Sequence, residues 1–179
     1  MYGLVNDAIK GLVIANYGET AWLQVRSRSG IDVDHFMSHE SYPDSMTYEL
    51  AQAADELGVP LGTVLQAFGE YWVLVTARQK YGAMLSTAGR SLKDFLINLP
   101  SFHIRVMLLF PNLQPPEFQT SDIGERSLHL HYYSDRHGLQ DFVLGLIRGL
   151  GKMYDTPVAI SLLASRDQGA DHEVFRVEW

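Results

Sequence analysis

The sequence predicts an α+β fold: a mostly helical N-terminal part followed by a four-stranded antiparallel sheet with helices. Three observations carry that expectation. Apolar residues recur at helical spacing as far as Phe110. The period changes to alternation after "PNLQPP". One further helical stretch then separates two pairs of short strand-like runs.

The elements follow in order. Leu4, Val5, Ala8, Ile9 and Leu12 form one apolar stripe, with Gly18 as punctuation after it, and a second short helix is expected from Thr20 to about Ser27. Asp44 to Leu57 reads as a third helix closed by Gly58. Leu61, Val64, Leu65, Phe68, Trp72 and Val75 mark one face of a long fourth helix. Ser91 followed by Asp94 three residues later resembles a capping box, and Leu92, Phe95, Leu96 and Leu99 continue the helix. Pro100 is expected to kink or interrupt it, because proline lacks the amide that the helix needs.

Glu117–Ile123 and Ser127–Ser134 are expected strands joined at Gly124. Leu139 to about Tyr154 is a helix. Val158–Ser165 and His172–Glu178 form a closing hairpin around Gly169. The 179 residues suggest one domain, with about 1–60 and about 61–179 as two lobes.

Composition excludes several classes. The net charge of −7 and the lack of a basic run argue against nucleic acid. With no cysteine there is no disulfide, thiolate metal site or cysteine nucleophile. The N-terminus lacks a secretory pattern, and no apolar run approaches the ~20 residues of a membrane span. A cytoplasmic protein is the expectation. A monomer is expected too, since no heptad or long apolar patch is evident.

Two features call for chemistry. In "HYYSDRH", strand alternation places Leu128, Leu130, Tyr132, Ser134 and Arg136 on one face. A phenol, a hydroxyl and a guanidinium thus continue a leucine row, and all three need acceptors. Arg136 either meets solvent or a protein acid such as Asp135 or Glu125, or it takes an anionic group, carboxylate geometry suiting its fork. The second feature is His103, which shares an apolar helix face with Leu99, Val106, Met107 and Phe110. Such a histidine is either a core residue with one satisfied nitrogen or a lone axial ligand of the kind haem uses. Haem would also bring two carboxylates to the donor row.

These residues resemble the haem nitric oxide/oxygen binding (H-NOX) family, related to the haem domain of soluble guanylate cyclase. "MYGLVN", "AFGEYWV", "NLPSFHIRV", Pro115–Pro116, Tyr-x-Ser-x-Arg and "VLGLIRGLGK" occur in the family's order along essentially the whole chain. The wording before His103, with Pro100, Ser101 and Phe102, departs from the family's commoner Asp-Asn-Leu-His. The resemblance implies haem b buried between the lobes. It implies His103 as iron ligand, a propionate clamp of Tyr132, Ser134 and Arg136, and Val5 and Pro116 pressing on the porphyrin.

Oxygen-binding members carry a distal tyrosine three residues before the glycine that is Gly145 here. That position is Phe142, with Leu139, Gln140 or Asp141 as alternatives if the register slips. Trp72 falls where other members place a distal polar residue. The expected function is a non-enzymatic nitric oxide sensor that also binds CO, excludes oxygen and regulates a separate effector. The effector is expected to be a separate polypeptide, since no kinase or cyclase domain is recognisable in the 179 residues, and the resemblance suggests a histidine kinase or a cyclic-di-GMP enzyme. The rivals are an oxygen sensor of the same fold, or an enzyme using Ser134 and Arg136 to bind an anionic substrate.

Three further expectations remain. Gly145, Gly149 and Gly151 on one helix suggest close backbone approach. His129 and His131 share a strand face, but two ligands do not make a zinc site, so a solvated face is expected. His35, His39, His137 and His172 are expected to lack partners.

Overall fold

The computed structural model describes residues 3–33, 35–38, 40–55, 60–109 and 114–179. Helix α1 spans Gly3–Ser29 and contains one non-helical residue, Gly18, at φ 82° and ψ 170°. The two predicted N-terminal helices are therefore joined through a glycine whose positive φ a side chain would resist. Ala8, Ile9, Leu12, Val13, Trp22 and Val25 face inward.

Helix α2 spans Asp44–Asp55; the expected end at Leu57 and Gly58 lies outside the described residues, as does His39. Helix α3 spans Leu61–Tyr71 and passes directly into a π-helical stretch, Trp72–Ala77, before α4, Arg78–Ala88. This corrects the uniform fourth helix. The i→i+5 register of a π-turn advances the facing residues. Val73, Thr76 and Ala77 are therefore buried, while Val75 is only half-buried.

Helix α5 spans Leu92–Leu109 with Pro100 inside it, so the proline does not end the helix. The Ser91 hydroxyl accepts the Asp94 amide at 3.1 Å and caps its start. The Leu96 carbonyl forgoes its usual i+4 amide at Pro100. Leu96, Leu99 and Phe102, buried on both sides of that position, hold the helix in place by packing.

Strands β1 (Glu117–Ser121), β2 (Ser127–Tyr133), β3 (Ala159–Ala164) and β4 (Glu173–Glu178) form one antiparallel sheet in the order β1-β2-β4-β3. Helix α6, Gln140–Met153, joins the two strand pairs. It crosses α3 at Gly69 and Gly145, where a Cβ on Gly145 would run into the Gln66 carbonyl oxygen. The glycines thus set how closely the two helices approach.

Two apolar cores result. One joins α1, α2 and α3, with Leu50, Val13 and Val25 at its centre. The other joins α5, α6 and the sheet around Phe95, Leu96, Leu128 and Phe175. Trp72 packs against both, and a cavity lies between them.

Candidate functional site

The cavity has a volume of about 490 Å³, within the range of small-molecule sites. Apolar side chains dominate its lining. Val5, Trp72, His103, Pro116, Tyr132, Arg136 and Phe142 all contribute. Seven elements and loops therefore bring seven of the eight sequence-selected residues to one space. Ser134 is the exception.

His103 sits on α5 between the buried residues Leu99 and Val106. Its Nδ1 lies 3.2 Å from the Pro116 carbonyl oxygen. A carbonyl only accepts, so Nδ1 carries the proton and Nε2 is left as the bare nitrogen. Burial pushes the His103 pKa below its ordinary value, and the Pro116 hydrogen bond offsets this only in part. The imidazole is therefore neutral at pH 7, the form that ligates a metal. Phe118 packs between His103 and Tyr132, with ring centroids 5.5 and 5.3 Å away.

Strand β2 alternates as its sequence requires: Leu128, Leu130 and Tyr132 are buried on the inner face. Burial raises the Tyr132 pKa, so its phenol keeps its proton. The strand ends at Tyr133, one residue short of the expectation. Ser134 lies in the following loop, where its hydroxyl accepts the Arg136 amide at 3.1 Å. It braces the loop's turn.

Arg136 meets neither Asp135 nor Glu125. Its Nε donates to Asp44 Oδ2 at 2.9 Å, and its Nη1 to the Gln114 carbonyl at 3.0 Å. Burial opposes ionisation of Asp44, yet its hydrogen bonds, Arg136 among them, hold the carboxyl below its ordinary pKa. The same helix α2 reaches the loop again through Tyr48, whose hydroxyl donates to the His137 carbonyl at 3.2 Å.

Sequence reasoning missed a second arginine. The Nη1 and Nη2 groups of Arg166 donate to the Ser134 and Arg136 carbonyls at 2.5 and 2.8 Å. Its Nε is held by both oxygens of buried Glu173 at 2.9 and 3.0 Å. This nearly buried pair fixes the backbone of the loop that carries Ser134 and Arg136. The cue in the sequence was a cation and an acid flanking the Gly169 turn.

On the opposite wall, Phe142 stacks on Phe68 at 4.8 Å and Trp72 meets Phe68 edge-on at 6.2 Å. Thr47 and Tyr48 are among the hydroxyl-bearing residues that border the cavity. The Thr47 proton goes to buried Asn6 at 2.6 Å, and the Tyr48 proton to His137. Neither is aimed at the cavity.

The haem-NO-binding family model matches residues 2–162. The chain belongs to the H-NOX family. These are haem-binding, gas-sensing domains of the kind found in soluble guanylate cyclases. This H-NOX chain is 29% identical over 182 residues to soluble guanylate cyclase gcy-31 of Caenorhabditis elegans, covering 100% of this chain and 26% of the cyclase. It is 36% identical over 120 residues to the rat guanylate cyclase soluble subunit beta-2, covering 64% and 18% respectively. The chain thus spans about a quarter or less of the lengths of these cyclases.

In fold it is similar to an H-NOX protein from S. oneidensis solved in the Fe(II)NO state, with a TM-score of 0.89 at 20% identity, covering 99% and 98% of the two chains. An unliganded Fe(II) H-NOX protein from K. algicida gives 0.86 at 20% identity, covering 99% and 96%.

The donor set fits haem. A neutral imidazole stands on an apolar wall, and a phenol and a guanidinium border the same cavity. Among the described residues no three His, Cys, Asp or Glu side chains gather to hold a metal without such a cofactor. No described helix is long and apolar enough to cross a membrane.

Two histidine expectations need correction. His172, with no partner at useful spacing in the sequence, meets His131 of the expected solvated face: His131 Nδ1 lies 2.8 Å from His172 Nε2. His129 pairs with Asp122 at 2.9 Å.

Proposed function

We propose that this chain is a ferrous-haem sensor of nitric oxide that also binds CO and does not hold oxygen. Haem b, when bound, would supply an iron that takes a diatomic gas. His103 Nε2 would be the protein's ligand to it, because Nδ1 is committed to Pro116. Tyr132 and the remaining N–H groups of Arg136 would hold the propionates, while Ser134 and Arg166 fix the loop that presents Arg136. Val5 and Pro116 press on the porphyrin from the cavity lining.

The observation that carries the gas preference is the wall facing His103. Bound oxygen carries negative charge on its outer atom and is stabilised by a hydrogen-bond donor; nitric oxide needs none. Phe142 has no hydroxyl, and the Thr47 and Tyr48 protons are committed elsewhere. Nitric oxide would signal by weakening the hold of the iron on His103. Helix α5, which carries His103, would then shift and bias an effector, a histidine kinase or a cyclic-di-GMP enzyme.

The absorption spectrum of the reduced protein in air, then in nitric oxide, tests this reading. An unchanged ferrous spectrum in air and a five-coordinate nitrosyl spectrum support it. A stable oxygenated spectrum overturns the gas preference. An oxygen-sensor reading would need a donor from the lining, for which Trp72 is a candidate. Trp72→Phe would abolish the oxygenated form if that donor held it.

A further inference from the structure

The outer face of β2 carries a second arrangement, on the side of the sheet away from the cavity. His131 projects from β2, opposite Val174 of β4. His172 immediately precedes β4. Its ring stacks on Tyr133 at 4.1 Å with a 21° tilt, and its side chain is only 15% exposed.

The protons of this cluster can be assigned one by one. Ser121 Oγ lies 3.0 Å from Asp122 Oδ2 and 2.8 Å from His131 Nε2. A hydroxyl has one proton, and a carboxylate can only accept. The proton therefore goes to Asp122, and Ser121 accepts Nε2–H from His131. That leaves His131 Nδ1 bare. His172 Nδ1 lies 2.6 Å from Asp171 Oδ1, so by the same rule it carries the proton and Nε2 is bare. The two bare nitrogens face each other at 2.8 Å. Two neutral rings cannot satisfy this contact, since lone pair would meet lone pair. A proton or a metal cation between them can.

We infer that His131 and His172 form a site for a divalent transition metal of the zinc type, independent of haem. Each imidazole has its outer nitrogen held by an oxygen, Ser121 for one and Asp171 for the other, which is how metal-bound histidines are oriented. Asp122 and Asp171 supply negative charge beside the ion. Zn–N bonds of about 2.0–2.1 Å in tetrahedral geometry place two ligand nitrogens roughly 3.3 Å apart, so the rings must part by about half an ångström. His172, outside the strand, can give that distance. Water completes the coordination, because no third His, Cys, Asp or Glu among the described residues joins the pair. Imidazole ligands favour Zn²⁺, Cu²⁺ and Ni²⁺ over the oxygen-seeking Mg²⁺ and Ca²⁺.

Zinc titration by calorimetry on the untagged, metal-stripped, haem-loaded chain at pH 7.5 tests the site. One zinc per chain is expected, with no response to Mg²⁺. His131→Ala and His172→Ala should each abolish that binding event. Asp171→Asn should weaken it by about tenfold, the usual loss when an outer partner is removed. Unchanged circular dichroism and haem absorbance in the variants would show that the fold survives. No zinc uptake by the parent chain would overturn the inference, as would equal uptake by His172→Ala. A ¹⁵N spectrum showing one proton shared by the two rings, alongside no zinc uptake, would assign the contact to the proton instead.

Discussion

The two walls of the cavity are built from similar material and offer opposite chemistry. Both are lined by apolar and aromatic side chains: Leu99 and Phe102 on the α5 side, Phe68, Trp72 and Phe142 on the other. Each also has polar atoms close by. On the α5 wall the Pro116 carbonyl takes the Nδ1 proton and leaves the His103 Nε2 bare. On the facing wall, Asn6 and the His137 carbonyl take the Thr47 and Tyr48 protons. The comparison teaches that what a cavity wall offers depends on where its protons are committed. Counting polar residues along the lining would have called both walls mixed.

Five measurements would break or sharpen that contrast. Removing the proposed iron ligand has the largest expected effect: His103→Gly should lose the ferrous haem spectrum, and added imidazole should restore it. Retention of a parent-like spectrum without imidazole would show that α5 does not hold the iron.

The seam that joins the walls comes next. Gly145→Ala forces a methyl group into the Gln66 backbone, which cannot rotate away. Overpacking of this kind costs roughly 1–3 kcal/mol, and the upper end is expected in denaturant unfolding of the apo-protein.

Arg136→Ala should weaken haem affinity by about 10–100-fold, the worth of a hydrogen bond to a charged group. Arg166→Ala should do so less, since it acts through the loop backbone. Haem transfer to apomyoglobin would measure both.

Phe142→Tyr places a hydroxyl on the donor-poor wall. A hydrogen bond worth about 1 kcal/mol should raise oxygen affinity several-fold, read as an oxygenated spectrum in air. It would bring the two walls closer in character.

The smallest effect concerns pH. The folded-state pKa of His103 is lowered by burial, so the unfolded chain binds its proton first as pH falls. The apo-protein should therefore be less stable as pH drops below about 6.5, and the loss should stop once pH is below the folded value. His103→Leu should remove that component from a series of thermal melts.

Much of the fold was legible in the sequence. The inner face of β2 follows from alternation alone, because a strand leaves each side chain one choice of side. The capped start of α5 follows from Ser91 and Asp94. The π-turn at Trp72–Ala77 does not, since helical spacing reads the same until the register has already slipped. Nor does the unbroken passage of α5 through Pro100, where packing on both sides outweighs one missing amide.

For the candidate site, the sequence by itself determined which side chains could matter: one histidine on an apolar helix face, a Tyr-x-Ser-x-Arg run and a phenylalanine before Gly145. It could not assign their partners. Arg136 meets Asp44, 92 residues away, and His131 meets His172, 41 residues away. Only the tertiary structure decided those meetings, and with them the proton on each imidazole. Periodicity reports which face a residue takes. A hydrogen bond depends on which other segment folds onto that face, and local spacing holds no record of it.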